Sequence, residues 1–281
     1  MADLLFTGFR GTMLLRDVTM KAPDAGDPSA FPYSVPAIRT LGTLTFPTPV
    51  TFLVGENGSG KSTLLEALAA AAQLQALGSE LRVDADETLR AQRELGRRFS
   101  LGWHAARATR GFYLRAEDFF GFTKTLRQMR AELLRELEQI DEEYADRSAL
   151  AKGLRKGPVS ASLHEMERRY GIDLDTHSHG QSFLQLFQSR FVPRGLYLLD
   201  EPEAPLSPQS QLALLAMLRE MAGESSQFLI ATHSPILLAF PGATIYSFDE
   251  TPVRSVSYES LEHVSLTRDF LANPERFLRH L

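Results

Sequence analysis

The sequence predicts an α/β fold built on a parallel core sheet. In the last third of the chain, apolar runs of strand length alternate with a helix-like segment, in the order GLYLLD, SPQSQLALLAMLREMAG, QFLIATHS and TIYSFD. Earlier, the apolar run Val50 to Val54 precedes the Ala- and Leu-rich stretch STLLEALAAAAQLQAL. Strands separated by helices of this length are typical of parallel sheets, because a parallel neighbour requires a crossover connection.

The composition fits a folded protein with a substantial core. The chain has 281 residues, of which 43% are hydrophobic and 23% charged, and we predict a single domain over residues 1–281. The absence of cysteine excludes disulfides and thiolate metal sites. A net charge of -5 gives no overall basic footprint for nucleic acid. The start of the chain does not resemble a signal peptide and no apolar run reaches the roughly 20 residues of a membrane span, so we expect a cytoplasmic protein without direct membrane insertion.

Three parts are predicted within this domain. Residues 1–54 are β-rich and interrupted by turns, and residues 190–250 contain the alternating strands and helix. Between them, about 79–175 forms an inserted, mainly helical part, in which apolar residues recur every three or four positions from Lys124 to about Arg147. The stretch AKGLRKGPVSA, with its glycines and proline, predicts a break after that helix.

The segment GENGSGKST, residues 55–63, carries the strongest chemical signal. It satisfies the G-x-x-x-x-G-K-[ST] pattern and lies between an apolar strand and a helix, which is the context that a phosphate-binding loop requires. Glycines let successive backbone N–H groups point at phosphate oxygens, and the helix N-terminus adds positive potential. Lys61 is predicted to contact the β- and γ-phosphates, and Ser62 to offer its hydroxyl to Mg²⁺. The predicted nucleotide contacts are Asn57, Gly58, Ser59, Gly60, Lys61, Ser62 and Thr63.

Two further strand ends supply the remaining chemistry. The buried-strand pattern Leu196 to Leu199 is followed by Asp200, predicted to hold Mg²⁺, and by Glu201, predicted to activate water as general base. The apolar run before ATHSP ends near His233, which we expect to contact the γ-phosphate and orient the water. Alternatively, the acids form a solvated turn and the histidine has a structural role.

Taken in order, GENGSGKST, SHGQS, LYLLDEP and ATHSP resemble the ATP-binding cassette (ABC) ATPase superfamily. Within it, the resemblance is to soluble ATPases of the SMC, RecF and overcoming-lysogenization-defect type. The resemblance implies a P-loop NTPase with an N-terminal antiparallel β subdomain, a helical signature insertion and a core that carries Walker B and the histidine switch. It also implies ATP and Mg²⁺ as ligands, and a homodimer formed head to tail around two nucleotides.

The segment THSHGQSFLQLF raises the question of a metal site, because His177 and His179 flank a serine. With no third ligand evident nearby, a helix cap is the better interpretation: Ser178 and Gln181 have capping-box spacing ahead of an apolar helix face. In the resembling family this segment contacts a phosphate bound by the second copy. The resemblance therefore assigns Ser178, Gly180 and Gln181 to nucleotide binding, with His179 where a glycine is usual.

Other positions depart from the family pattern. Ala116 stands where a metal-contacting glutamine is usual, with Arg115 or Glu117 as substitutes.

Phe31 and Tyr33 are candidates to stack on adenine, although packing within the β subdomain is the alternative. Arginines interleaved with aromatics between Leu95 and Ala116 suggest a nucleic-acid surface, against the alternative of a solvated face.

The expected function is Mg²⁺-dependent ATP hydrolysis that drives a protein effector or a DNA-related process such as repair, chromosome maintenance or defence. The alternatives are the ATPase subunit of an ABC transporter and a nucleotide-gated binding module with little turnover.

Overall fold

The computed structural model of the protein describes residues 13–21, 29–77, 90–104, 107–170 and 179–279. The chain divides into two compact units. The first comprises residues 1–116 and 191–281, and the second comprises Glu117–Arg190. Residues 90–104 thus belong to the first unit, whereas the sequence suggested an insertion over about 79–175.

A seven-stranded sheet forms the core of the first unit, and the predicted parallel α/β fold is confirmed. Its order is β10-β9-β3-β8-β7-β6-β4, and all neighbours are parallel except the β9–β10 pair. The strands are β3 (Val50–Val54), β4 (Gln75–Ala76), β6 (Gly111–Arg115), β7 (Leu196–Asp200), β8 (Gln227–Ala231), β9 (Thr244–Ser247) and β10 (Arg254–Val256).

The predicted N-terminal antiparallel sheet is also present. It has the order β2-β1-β5, formed by β1 (Leu15–Met20), β2 (Thr43–Thr45) and β5 (Phe99–Trp103). The side chain of Gln227 joins this sheet to the core sheet: its Oε1 accepts from the N–H groups of Leu14 and Leu15 at 3.1 and 2.7 Å, and its Nε2 donates to Leu15 O at 2.8 Å. A buried amide in β8 therefore fixes the position of β1.

Helices cover the core sheet in the first unit. The nearly continuous apolar sequence of α2 (Lys61–Ala72) explains why both sides of that helix are buried. A 3₁₀ turn, Tyr258–Ser260, precedes the last two helices. The helices are α1 (Pro36–Arg39), α2 (Lys61–Ala72), α3 (Arg90–Arg97), α7 (Pro208–Gly223), α8 (Pro235–Leu238), α9 (Glu262–Ala272) and α10 (Pro274–Leu278).

The second unit is helical, as predicted, with α4 (Ala116–Glu143), α5 (Ala149–Tyr170) and α6 (His179–Arg190). Leu126 of α4 packs against Leu163 and Met166 of α5. None of the helices within the described ranges is long and apolar enough to cross a membrane.

The predicted break at AKGLRKGPVSA is wrong, because this stretch lies inside α5 with Pro158 in the helix. Pro158 is exposed, so the carbonyl left without its helical N–H partner can bond water. The preceding turns are held to α4 by ion pairs from Lys152 and Lys156 to Asp141, at 2.6 and 2.5 Å. Tertiary contacts outweigh the local signals for a break.

Candidate functional site

The segment GENGSGKST connects β3 to α2. Gly60 has φ +107°, in the region that favours glycine, and a Cβ built there would lie 2.8 Å from Val35 Cγ1. No side chain caps the start of α2, so the first N–H groups of the helix are left to a ligand or water. The loop therefore has the backbone of an anion-binding turn.

Lys61 is 5% exposed and points back over the loop. Its Nζ donates to Gly55 O at 2.6 Å and to Glu56 O at 2.9 Å. Burial lowers the pKa of Lys61, and the carboxylates of Glu201 and Asp200 act in the opposite direction. The ammonium group is thus held beside the loop by contacts that a phosphate can replace.

Ser62 and Asp200 meet at the carboxyl end of the sheet. Ser62 Oγ donates to Asp200 Oδ1 at 3.2 Å, although the two residues are far apart in sequence. Burial raises the pKa of Asp200 to about 6, with the Ser62 hydrogen bond and the charge of Arg115 opposing the shift. A hydroxyl and a carboxylate oxygen that converge in this way fit Mg²⁺, which binds few protein ligands and completes its shell with phosphates and water.

Glu201 and His233 lie on either side of an open pocket. His233 Nε2 is 3.8 Å from Glu201 Oε1, and neither side chain is buried. Glu201 has φ +50°, an uncommon conformation for a residue with a side chain, and its N–H donates to Ala231 O at 2.9 Å. With Glu56 and Asn57 these two residues line a pocket of about 530 Å³.

Glu203 supports His233 and was not singled out from the sequence. Glu203 Oε1 accepts from the backbone N–H of His233 at 2.7 Å, and burial raises the pKa of Glu203. Burial also lowers the pKa of His233, with the positive charge of Lys61 adding to the shift. Both effects favour the neutral form of the imidazole, and the charge of Glu201 opposes them. The sequence signal for Glu203 was its place as the third acidic residue in the segment DEPEA, residues 200–204.

Asp249 was also missed by the sequence reasoning. Its Oδ1 accepts from the N–H of Glu56, the second residue of the phosphate-binding loop, at 2.7 Å. The only sequence signal was an acid shortly after the strand-like run TIYSF, a position shared by many surface turns.

The other predicted loop residues occupy the same turn. Gly58 has φ +82°, Ser59 N donates to Glu56 O at 3.2 Å, and Thr63 lies in the first turn of α2. The structure thus brings Asn57 to Thr63 together with Asp200, Glu201 and His233. Their roles with a nucleotide stay a prediction.

The signature segment is only partly described. Gly180 and Gln181 lie in the first turn of α6, with Gly180 buried, whereas His177 and Ser178 lie outside the described residues. Phe183 and Phe187 form the buried face of this helix, as the apolar pattern predicted. Across the described ranges, no group of three or more His, Cys, Asp or Glu side chains is arranged to hold a metal.

Ala116 and Arg115, at and beside the position where the family has its glutamine, are engaged within the fold. Ala116 is buried at the start of α4, and Arg115 forms an ion pair with Glu66, which is buried. A metal-binding role for Arg115 is therefore not supported.

The candidate base-stacking aromatics are mostly engaged elsewhere. Among the aromatics between Leu95 and Ala116, Phe99 and Tyr113 are buried, so they are not free to stack on nucleic-acid bases, whereas Trp103 is half-buried. Tyr33 packs against the core, with the guanidinium of Arg98 5.3 Å from its ring centre, whereas Phe31 is 51% exposed. Of the two adenine candidates, Phe31 is the more exposed, and Tyr33 is half-buried.

The strand order, the loop between β3 and α2, and the acid that ends β7 define a P-loop nucleotide-binding domain of the ABC/AAA ATPase type. The chain belongs to the AAA-domain family described as "AAA domain, putative AbiEii toxin, Type IV TA system", whose sequence model matches residues 96–239, just over half of the chain. A second model, described as "AAA domain", matches residues 38–80, which include the P-loop.

Among characterised sequences, the chain is similar to the ribose import ATP-binding protein RbsA 1 of Burkholderia cenocepacia and of Burkholderia orbicola. Each is 24% identical over 206 residues, which is 70% of this chain and 37% of the relative. The chain therefore spans little more than a third of the length of these relatives.

Solved structures also resemble the chain. The cbiO1 protein of Clostridium perfringens, part of the ABC transporter complex cbiONQ, is 16% identical with a TM-score of 0.45, covering 97% of this chain and 100% of its own. The Smc head domain of Pyrococcus furiosus, bound to the C-terminal domain of ScpA, is 13% identical with a TM-score of 0.41, covering 91% and 99%. The family assignment rests on the sequence model, and the fold on the strand order of the chain itself.

Proposed function

We propose that this protein binds ATP with Mg²⁺ and hydrolyses it, and that it does so as a head-to-tail dimer with two nucleotides between the copies. The observation that carries the proposal is the convergence of Lys61, Ser62, Asp200, Glu201 and His233 on one edge of the core sheet.

Each of these side chains has a role that its position supports. Lys61 binds the β- and γ-phosphates in place of its present carbonyl partners. Ser62 and Asp200 hold Mg²⁺, which when bound neutralises charge that develops on the phosphates. Glu201 accepts a proton from the attacking water, and neutral His233 donates to the γ-phosphate or orients that water.

The dimer interface in this proposal uses the start of α6. Ser178, Gly180 and Gln181 of one copy contact the γ-phosphate held by the other, because the positive end of a helix stabilises an anion. The first turn of α6 contains no acidic residue that would oppose this contact.

The experiment compares the wild type with Glu201→Gln and Lys61→Ala. We expect Glu201→Gln to bind ATP, to dimerise with it in gel filtration, and to release phosphate at least about 100-fold more slowly, since a general base typically contributes that much. Lys61→Ala should lose ATP binding. Glu203→Gln is the matched control, a neighbouring acid without the base role, and should lose less activity. An active Glu201→Gln would contradict the assigned base, and a variant that stays monomeric with ATP would contradict the dimer.

The process that the ATPase serves is proposed to involve a protein effector or DNA, in repair, chromosome maintenance or defence. Measuring phosphate release with and without single- and double-stranded DNA tests the DNA branch. A stimulation of less than twofold by both would reject it in favour of a protein effector.

A transporter role is the second candidate, favoured by the similarity to the ribose import ATP-binding protein. Ala116 opposes it, because a buried alanine lacks the metal contact that the usual glutamine makes in the resembling family. A membrane protein that copurifies with the chain in an ATP-dependent manner would support this alternative.

A further inference from the structure

We propose that Asp249 is a positioning residue that holds the entrance of the P-loop in its phosphate-binding conformation, and thereby sets nucleotide affinity rather than the rate of hydrolysis. This inference rests on the proposed nucleotide-binding function and adds to it a contact from the turn that follows β9, a segment outside the motifs described above.

The sheet register places Asp249 beside the loop. β9 pairs in parallel with β3, with Ser247 opposite Val54, and the N–H of Phe248 donates to Val54 O at 2.8 Å. Because both strands run in the same direction, the residues that follow them leave the sheet side by side. Asp249 therefore reaches the residues that follow Val54.

Asp249 and Lys61 hold the same peptide group from its two sides. Asp249 Oδ1 accepts from the N–H of Glu56 at 2.7 Å, and Lys61 Nζ donates to the carbonyl of Gly55 at 2.6 Å. The Gly55 carbonyl and the Glu56 N–H belong to one planar peptide, so the two contacts fix its orientation. When Lys61 turns to a phosphate, Asp249 is the contact that remains.

The surroundings of Asp249 are arranged for this contact. Its own N–H donates to Ser247 Oγ at 3.3 Å, and Ser247 Oγ donates to Asp249 Oδ2 at 3.4 Å. At Gly55, whose φ is +147°, an added Cβ would lie 3.0 Å from Asp249 Oδ1 and 3.1 Å from Phe248 Cβ. A glycine at position 55 thus permits the carboxylate to approach the backbone.

The charge of Asp249 matters as well as its position. An ionised acceptor makes a stronger hydrogen bond than a neutral one, so Asn at this position should retain part of the contact and Ala none. Since Asp249 is exposed to solvent, we expect a moderate effect on affinity, about fivefold for Asp249→Ala and about twofold for Asp249→Asn, which corresponds to an ordinary hydrogen bond.

The test measures ATP and ADP dissociation constants by calorimetry and single-turnover hydrolysis of bound ATP, with thermal unfolding of each variant. Asp249→Ala should weaken ATP and ADP equally while the single-turnover rate stays within about twofold of the wild type, and Asp249→Asn should recover part of the affinity. The matched control is Glu250→Gln, a neighbouring exposed acid that pairs with Arg254, and it should bind as the wild type does.

The outcomes separate this inference from the proposed function. If the wild type binds ATP and Asp249→Ala binds it equally well, the positioning role is rejected and the nucleotide function stands. A loss of turnover with unchanged affinity also rejects the role. Failure of the wild type to bind ATP rejects both. If Asp249→Ala does not fold, Asp249→Asn decides: unchanged affinity rejects the role, and a partial loss supports it.

Discussion

Ser62 Oγ lies 3.2 Å from Asp200 Oδ1, and this hydrogen bond joins the start of α2 to the end of β7. The two residues are brought together because β3 and β7 flank β8 in one parallel sheet, so their carboxyl ends open at the same edge. The pair places the proposed metal ligands beside the phosphate-binding loop. The same arrangement buries the carboxyl group of Asp200, and burial disfavours its charged form.

The first prediction concerns the pH dependence of that carboxylate. The pKa of Asp200 is raised from 3.8 to about 6, so the native protein binds more protons than the unfolded chain between these values. The stability of the ligand-free protein should therefore fall as pH rises through this window and stay lower above it. Asp200→Asn removes the charge and should be more stable by roughly 3 kcal/mol above pH 6, with little difference near pH 4. Urea unfolding in EDTA at several pH values measures this, and a difference independent of pH would contradict it.

A second prediction concerns the buried ion pair between Glu66 and Arg115. Glu66 is 1% exposed and also accepts from Tyr113 Oη at 3.5 Å. Arg115→Met leaves this carboxylate without its cation and should destabilise the protein by about 3 kcal/mol in urea unfolding. The control is the double variant Glu66→Leu with Arg115→Met, which removes both charges and should recover most of the loss. A double variant no more stable than Arg115→Met would show that packing, not charge, sets the cost.

The amide of Gln227 provides a third prediction. Its side chain makes three hydrogen bonds to backbone groups of Leu14 and Leu15, at the start of β1. Gln227→Leu should lower the free energy of unfolding by about 3 kcal/mol, because buried groups lose their hydrogen bonds. Thr43→Val, which removes only an exposed hydroxyl contact with Thr19 at 2.9 Å, is the control and should change stability by less than about 0.5 kcal/mol. Equal effects of the two changes would contradict the role of Gln227.

The fourth prediction distinguishes the cost of backbone strain from the cost of a steric clash at two P-loop glycines. Gly58 and Gly60 both have positive φ, but an added Cβ meets nothing within 4 Å at Gly58 and meets Val35 Cγ1 at 2.8 Å at Gly60. Gly58→Ala should cost about 1 kcal/mol of backbone strain. Gly60→Ala should cost more, and a second change, Val35→Ala, should recover part of the excess. Thermal unfolding without nucleotide measures both, and a Gly60→Ala cost no larger than that of Gly58→Ala would exclude the clash.

Several elements were predictable because their signals are local. The P-loop has a fixed pattern, and β7 and β8 are short apolar runs followed by polar residues, so strand, turn and helix follow from adjacent residues. The continuation of α5 through Pro158 was not predictable, because ion pairs with α4 stabilise a segment whose own composition indicates a break. Glu203 was missed for a related reason: its contact with the His233 backbone joins two separate strand ends.

The amino-acid sequence by itself determined the parallel α/β fold and the chemical groups at the proposed site, since periodicity and the P-loop pattern are properties of neighbouring residues. The tertiary structure alone decided which groups meet. Strand order placed Asp249 beside Glu56 and Ser62 beside Asp200, and it paired Arg115 with Glu66 instead of a metal. Such contacts depend on the pairing register of strands that are far apart in the sequence. The chain specifies that register only through the burial of its whole core.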